Sequence, residues 1–170
     1  RTRWIWLALG LTGAALPAAL LARVSSSYQN LSQFPGFLGM LVLAGGLIFL
    51  GWRALRGEGL PSWLPALTLG AMALRLAAGL IWYVALPAVG YGSEAELGGY
   101  VMADAYERDQ AAWELGSSDK LLSRAFQGAY RKSDQYGGML FVSALIYRTF
   151  GGEVHAPLLV VVFGAAVSAL

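Results

Sequence analysis

One polar stretch decides how this chain folds: residues Tyr100–Gly138, YVMADAYERDQAAWELGSSDKLLSRAFQGAYRKSDQYGG. It holds six of the ten acidic residues and five of the twelve basic residues, whereas the chain on both sides of it is mostly apolar. Within it, Asp104, Arg108 and Asp109 follow one another at helical spacing. A polar stretch of this size between apolar segments is the place where chemistry is to be sought.

The composition is that of a membrane protein. Of the 170 residues, 57% are hydrophobic and only 13% are charged, against roughly a quarter charged in soluble domains. The net charge of +2 is too small to indicate a nucleic-acid partner. With no cysteine and a single histidine, His155, the sequence excludes a disulfide framework and a multi-histidine metal cluster. We therefore predict an all-α polytopic membrane protein.

The apolar runs predict about five transmembrane helices. The first two runs are free of charge over about the ~20 residues that a span needs, the fourth is short, and the last is cut off by the end of the chain. The predicted spans are Trp4–Ala22, Phe34–Trp52, Pro61–Leu86, Met139–Tyr147 and the incomplete His155–Leu170. The first run also resembles a signal peptide, but no convincing small-residue cleavage site follows it. We expect the chain to be the N-terminal piece of a longer polypeptide.

The connection formed by residues 87–137 is predicted to carry two amphipathic juxtamembrane helices. The first covers Tyr100–Leu115 and is ended by Gly116. The second begins at Ser117 or Ser118, and its apolar residues recur on one stripe, as in a helix that lies in the membrane interface. These residues are Leu121, Leu122, Ala125 and Phe126.

The distribution of arginines predicts the orientation. Counted over the N-terminus and the short connections, five arginines fall together against Arg23 on the other side. The long connection 87–137 adds five Lys and Arg residues to the side of Arg23, but these are mixed with eight carboxylates. By the positive-inside rule we predict that the N-terminus is cytoplasmic and that the connection 87–137 is outside. The membrane is expected to be the cell membrane. The five arginines are Arg1, Arg3, Arg53, Arg56 and Arg148.

Arg75 is the one charged residue of the third predicted span. A charge at this depth costs at least ~2.5 kcal/mol, so the side chain should face a partner or water, or snorkel. One interpretation is contact with an anion such as a lipid phosphate. The other is a pairing with a carboxylate or carbonyl of a neighbouring span.

The residues alone leave two roles for Asp104. It could act as a general base, which must be held within reach of a substrate proton. It could instead be the counter-ion of Arg108, because an acid four residues before a base is the favourable order on a helix. Spacing does not choose between them, and a solvated helical face with an internal ion pair is the simpler interpretation.

The order of features resembles the first outer loop of the GT-C membrane glycosyltransferases, in particular the protein O-mannosyltransferase and aminoarabinose transferase branch. In that branch an Asp opens the first loop helix and a Tyr and an Ala follow, then a small-Asp turn and an entry to the next span. The matching residues are Asp104, Tyr106, Ala112, Ser118-Asp119 and Tyr136-Gly137-Gly138-Met139, with Tyr147 and Phe150-Gly151 at the end of that span. Ala105 stands where the family usually has Glu, and Gly137-Gly138 replaces a Pro pair. The resemblance covers residues 61–170, so residues 1–60 are predicted to be two additional N-terminal spans.

The resemblance implies an inverting transfer of a sugar from a polyprenyl-phosphate donor to an acceptor hydroxyl on the outer membrane face. Asp104 would be the base that takes the acceptor proton. No cofactor and no metal are predicted, although some relatives use a divalent cation. The residues it places at the donor or substrate are Arg108, Asp109, Tyr106, Arg75, Asp134, Gln135 and Tyr136.

Two alternatives come from other functional classes. A transporter fragment would also carry a charge within a span, but it should show internal repeats, and the sequence has none. A non-catalytic membrane scaffold would explain an Asp104–Arg108 ion pair without any base.

Overall fold

The computed structural model describes residues 2–25, 31–56, 59, 61–130 and 132–170, with side chains from residue 12 onward. All regular structure in these ranges is helical, as predicted. Four long or loop helices come first: α1 (Thr2–Ser25), α2 (Phe34–Leu55), α3 (Leu64–Val89) and α4 (Glu94–Leu97). The remaining elements are α5 (Ala103–Ser117), two 3-10 turns (Leu122–Phe126 and Gly128–Tyr130), α6 (Gly138–Ile146), a π-helical turn (Tyr147–Gly151) and α7 (Leu158–Val167).

Two helices in the described part of the chain are long and apolar enough to cross a membrane. They are α2, with 22 residues, and α3, with 26, which corresponds to about 33 and 39 Å. Their apolar side chains, among them Leu50, Leu67 and Leu74, are largely exposed in the isolated chain. An apolar helix exposed in this way suits a lipid environment. The prediction of a helical membrane protein is thus supported, while the number of five spans stays a prediction.

The chain forms two compact units by its internal contacts. The first contains residues 1–77 and 161–170, and the second contains residues 78–160. In the first unit, α1 and α2 pack together through small and apolar side chains. These are Ala18, Leu21 and Ala22 of α1 and Phe37, Met40, Ala44 and Ile48 of α2, the latter on one helical stripe.

The second unit is built around the pair α5 and α6. Their shared core also takes in the first 3-10 turn, and its buried residues are Ala112, Leu115, Ala125, Leu140, Ala144 and Tyr147. Gly116 lets the helices approach closely, since a Cβ there would lie 2.8 Å from the carbonyl oxygen of Ala144. This packing fixes the orientation of α5 and therefore of its polar side chains.

The prediction that a second amphipathic α-helix follows α5 is wrong, because the segment is not α-helical. The segment folds as two short 3-10 turns. Ala125 is buried in the first turn, whereas Phe126 of the same turn and Leu121, which precedes it, are exposed. The predicted cap, Ser118, instead donates a 2.9 Å hydrogen bond to the carbonyl of Leu115 in the last turn of α5. The apolar stripe was real as a sequence pattern, but spacings of three and four residues do not by themselves distinguish an α-helix from a 3-10 turn.

Arg148 holds the C-terminal end of α5. Its Nη2 lies 2.8, 2.6 and 2.8 Å from the carbonyl oxygens of Leu115, Ser118 and Lys120, and its Nε donates to Gly116 at 3.2 Å. The carbonyls of Leu115 and Gly116 belong to the last turn of α5, which has no further backbone N–H groups to offer them. A cation at a helix C-terminus is also favoured by the helix dipole.

This contact corrects one part of the predicted orientation. The sequence places Arg148 on the cytoplasmic side and its bonding partners, which belong to the connection 87–137, outside. The two placements exclude each other, because the same atoms are in hydrogen-bonding contact. The apolar segment Gly138–Gly151 is also only about 21 Å long, against roughly 30 Å for a hydrocarbon core. We conclude that Arg148 lies on the same side as the connection 87–137 and should not be counted among the arginines of the predicted cytoplasmic side.

Cysteine labelling checks this correction, since the natural chain has no cysteine. In sealed right-side-out vesicles, single variants Glu107→Cys on α5 and Glu153→Cys after the π-helical turn are expected to react with an impermeant maleimide from the same side. Both residues are exposed. Ala54→Cys, beside Arg53 and Arg56, is expected to react from the other side. If Glu153→Cys reacted from the same side as Ala54→Cys and from the side opposite to Glu107→Cys, Arg148 and α5 could not share one side of the membrane.

Candidate functional site

Asp104 lies in the first turn of α5, one residue after its start at Ala103. The side chain is exposed, and a carboxylate in the first turn is favoured by the positive end of the helix dipole. Neither ion pair formed by the described residues within 4 Å involves Asp104; these pairs are Lys120–Glu114 and His155–Asp109. The Asp104–Arg108 ion pair that the sequence suggested is therefore not formed.

Arg108 is half-buried and acts on a different carboxylate. Its positive charge is a minor one of the influences that favour the ionised form of Asp134. Partial burial works to raise the pKa of Asp134, but hydrogen bonds from the backbone N–H groups of Leu140, Tyr136 and Gly137 outweigh it. The pKa of Asp134 therefore lies below its usual value.

Asp134 anchors the start of α6. Its Oδ1 accepts a 3.1 Å hydrogen bond from the N–H of Tyr136, and its Oδ2 accepts a 2.9 Å bond from the N–H of Leu140. The N–H groups at a helix start have no intrahelical partner, so this carboxylate satisfies one of them. Gln135 and Tyr136, which follow it, are exposed. Asp134, one of the predicted donor-binding residues, thus stabilises the start of α6.

Asp109 is the buried carboxylate of the unit, with 7% of its surface exposed. It lies five residues after Asp104, which turns it about 140° around α5 toward the core. Its Oδ1 accepts a 2.6 Å hydrogen bond from the Tyr147 hydroxyl, and its Oδ2 lies 2.7 Å from His155 Nε2. The hydroxyl of Tyr100 also donates to Oδ2. Three side-chain donors therefore converge on one buried carboxylate.

The three donors come from distant parts of the chain. Tyr100 precedes α5, Tyr147 opens the π-helical turn, and His155 lies before α7. Burial and the nearby carboxylate of Asp109 raise the pKa of the Tyr100 phenol above its usual value, so this group keeps its proton and remains a donor. A π-helical turn inside a helix is frequent at functional sites, and here it brings Tyr147 and Arg148 onto α5.

An aromatic cluster encloses the histidine of this group. The Trp113 ring stacks on His155 with centroids 5.3 Å apart and an interplanar angle of 27°. The Tyr147 ring meets His155 at 5.3 Å and 68°. Tyr106 is half-buried and packs edge-to-face against Tyr100, with ring centroids 5.5 Å apart. The ring of His155 is thus held in one orientation.

The sequence pattern did not identify Tyr100, Tyr147 or His155 as partners of Asp109. Asp109 and Trp113 are four residues apart on α5, which places them on the same face of that helix. As the only histidine, His155 cannot form a multi-histidine metal cluster, and its sequence surroundings indicate no other role. The signal in the sequence was the combination of an acidic residue on the apolar face of a helix with a single histidine beyond the next helix.

Arg75 belongs to the first unit and is exposed. It lines a cavity of about 210 Å³ whose other walls are mostly apolar, including Ile48, Trp52 and Thr68. No carboxylate of the described residues lies among the groups that line this cavity. The two interpretations of Arg75 given by the sequence both remain predictions.

Within the described ranges, no group of three or more Asp, Glu, His or Cys side chains is arranged to hold a metal ion. No protein-family model, curated protein or solved structure matches the chain.

Proposed function

We propose that the chain is part of a membrane glycosyltransferase that transfers a sugar from a polyprenyl-phosphate donor to an acceptor hydroxyl. The observation that carries this proposal is the state of Asp104. The sequence left this residue as either a base or the counter-ion of Arg108, and in the structure it is exposed and makes no ion pair with a described residue. The position of Asp104 at the start of a rigidly packed helix also suits a group that must meet a substrate.

In the proposed reaction Asp104 accepts the proton of the acceptor hydroxyl. The acceptor oxygen forms a bond to the anomeric carbon of the sugar, and the bond from that carbon to the phosphate oxygen breaks. The electron pair of the broken bond stays on the departing polyprenyl phosphate. A single displacement of this kind inverts the anomeric centre. The exposed Glu107, one turn along the same face of α5, is the nearest carboxylate in sequence that could take the place of the Glu missing at Ala105.

The lipid-linked nature of the donor is supported by the surroundings of α5. Two candidate spans precede it in the chain. The second unit also exposes apolar side chains at Leu121, Phe126 and Met139, which suits contact with a bilayer surface. Within the second unit, Arg108 is the proposed basic group for the donor phosphate.

A non-catalytic membrane scaffold is the second candidate. It is favoured by the structural tasks of Asp109, Asp134 and Arg148, each of which joins two parts of the second unit. These contacts would be needed in a rigid assembly module without any reaction.

Asp104→Asn in the full-length protein distinguishes the two candidates. Loss of a positioned base typically costs about 10²–10⁴-fold in rate, so we expect sugar transfer to fall by that factor with membrane insertion unchanged. The measurement is transfer of radiolabelled sugar from a panel of polyprenyl-phosphate donors. Glu94→Gln is the matched control, because it removes another exposed carboxylate from the first turn of a helix. Transfer by Asp104→Asn at the rate of the unmodified protein would remove Asp104 from the role of base.

A further inference from the structure

His155 is held firmly at one ring nitrogen and left open at the other. Its Nε2 lies 2.7 Å from Asp109 Oδ2, and Trp113 and Tyr147 fix the plane of the ring. The side chain retains 21% of its exposure. Among the described residues, Nδ1 has no hydrogen-bond partner, and it is not one of the fully buried unpaired atoms. The open nitrogen is therefore not completely enclosed by the cluster.

The carboxylate determines which nitrogen carries the proton. An ionised Asp accepts hydrogen bonds only, so the ring nitrogen that faces it must be the N–H. In the neutral ring this leaves Nδ1 with a free electron pair. Tyr100 and Tyr147 occupy further acceptor positions of Asp109 and hold the carboxylate in place. The result is an imidazole with a fixed tautomer and a fixed direction for its acceptor nitrogen.

We infer that the Asp109–His155 pair is a binding site for a hydroxyl group, at which His155 Nδ1 accepts the hydrogen bond. The hydroxyl keeps its proton and donates it as a hydrogen bond to Nδ1, while Asp109 holds the ring in the tautomer and orientation that present this nitrogen. His155 touches the ligand, and Asp109 is a positioning residue that acts through His155.

This site is separate from Asp104. The two carboxylates of α5 point about 140° apart around the helix, one exposed and one buried. The inference does not rest on the proposed glycosyltransferase activity, because it follows from the hydrogen bonds of His155 alone. It would hold equally for a scaffold that binds a polyhydroxylated ligand.

Nitrogen NMR of the intact chain tests the tautomer. The protein is labelled with ¹⁵N-histidine, purified through a histidine-free tag and placed in lipid nanodiscs at pH 8, where imidazole in water is neutral. Because the chain has one histidine, every imidazole signal belongs to His155. We expect the Nε2–H tautomer in the unmodified protein and in Glu153→Gln, which removes an exposed carboxylate two residues away. In Asp109→Asn we expect the single-tautomer preference to be lost. A predominant Nδ1–H tautomer in the unmodified protein would overturn the inference.

Two further measurements test access and the class of ligand. Diethyl pyrocarbonate, which acylates unprotonated imidazole nitrogen, is expected to add one carbethoxyl group per natively folded chain, read from absorbance at 240 nm and from mass. Glycerol is expected to move the Nδ1 resonance in the unmodified protein, and the hydroxyl-free osmolyte glycine betaine at the same osmolality is not. Acylation only after unfolding, or equal responses to glycerol and betaine, would contradict a hydroxyl site at Nδ1. These readouts require no sugar transfer, so they remain informative if Asp104→Asn proves fully active.

Discussion

Asp109→Ala is expected to destabilise the second unit by about 3–5 kcal/mol. The reason is the number of groups that depend on this carboxylate: Tyr100, Tyr147 and His155 all donate to it, and all three would lose their partner inside the core. Each buried donor left unsatisfied costs about 1–3 kcal/mol, and breaking a buried charged pair by removing one member costs about 3–5 kcal/mol. Water that enters the vacated space would hydrate some of these donors and bring the loss of stability toward the lower end of the range, about 3 kcal/mol.

The measurement is reversible unfolding of the purified chain in mixed micelles, with increasing sodium dodecyl sulfate, followed by circular dichroism. Asp104→Ala is the matched control, because it removes the other carboxylate of the same helix from an exposed position without a described ion-pair partner. We expect that control to change the unfolding free energy by less than about 0.5 kcal/mol. Equal stability of the two variants would contradict the central role of Asp109 in the core.

Gly137→Ala is expected to destabilise the same unit by about 2–4 kcal/mol. Gly137 precedes α6 with φ +73°, a conformation that costs other residues roughly 1–2 kcal/mol. An added Cβ would also lie 2.4 Å from the backbone carbonyl oxygen of Ala125, which cannot rotate away as a side chain could. Relief of this clash requires the 3-10 turn and the start of α6 to move apart, and Asp134 would lose its hydrogen bonds there.

The neighbouring glycine supplies the control. Gly138 is the first residue of α6, and a Cβ added to it would meet no atom within 4 Å. Gly138→Ala should therefore be neutral or stabilise the protein by a few tenths of a kcal/mol, since alanine restricts the unfolded chain without strain in the native helix. If both substitutions shift the unfolding midpoint alike, the backbone conformation at Gly137 is not the cause.

The long helices were predictable because their signal is local. The apolar runs that gave α2 and α3 can be recognised from composition and length alone. The end of α3 was less predictable: the sequence suggested a stop before Pro87, but the helix continues to Val89 and includes Pro87. A proline near the end of a helix removes only one late hydrogen bond, so it does not have to stop the helix where it occurs.

The loop helix was predicted in kind but not in its limits. The sequence suggested a helix from Tyr100, whereas α5 begins at Ala103. Tyr100 lies outside the helix, where its hydroxyl reaches Asp109. The exposure of Asp104 and the burial of Asp109 follow from the way α5 packs on α6. Because α5 carries charges on several faces, helical periodicity alone did not determine which face of the helix would be buried.

The partners of Asp109 could not be derived from local patterns. They stand 9, 38 and 46 residues away from it in the sequence, well beyond the three- and four-residue spacings that link side chains on one helix. The same holds for Arg148, which is bonded to residues about thirty positions earlier. Such contacts are set by tertiary packing.

The long separation between Asp109 and His155 determines the order in which the second unit can be completed during synthesis. When α5 leaves the ribosome, its buried carboxylate has at most one of its three donors available, Tyr100. Tyr147 and His155 are translated later, and each closes a loop whose entropy must be overcome before the contact stabilises anything. Asp109 must therefore stay hydrated until the chain has grown past residue 155. Only then can the carboxylate become buried without leaving a charge unpaired.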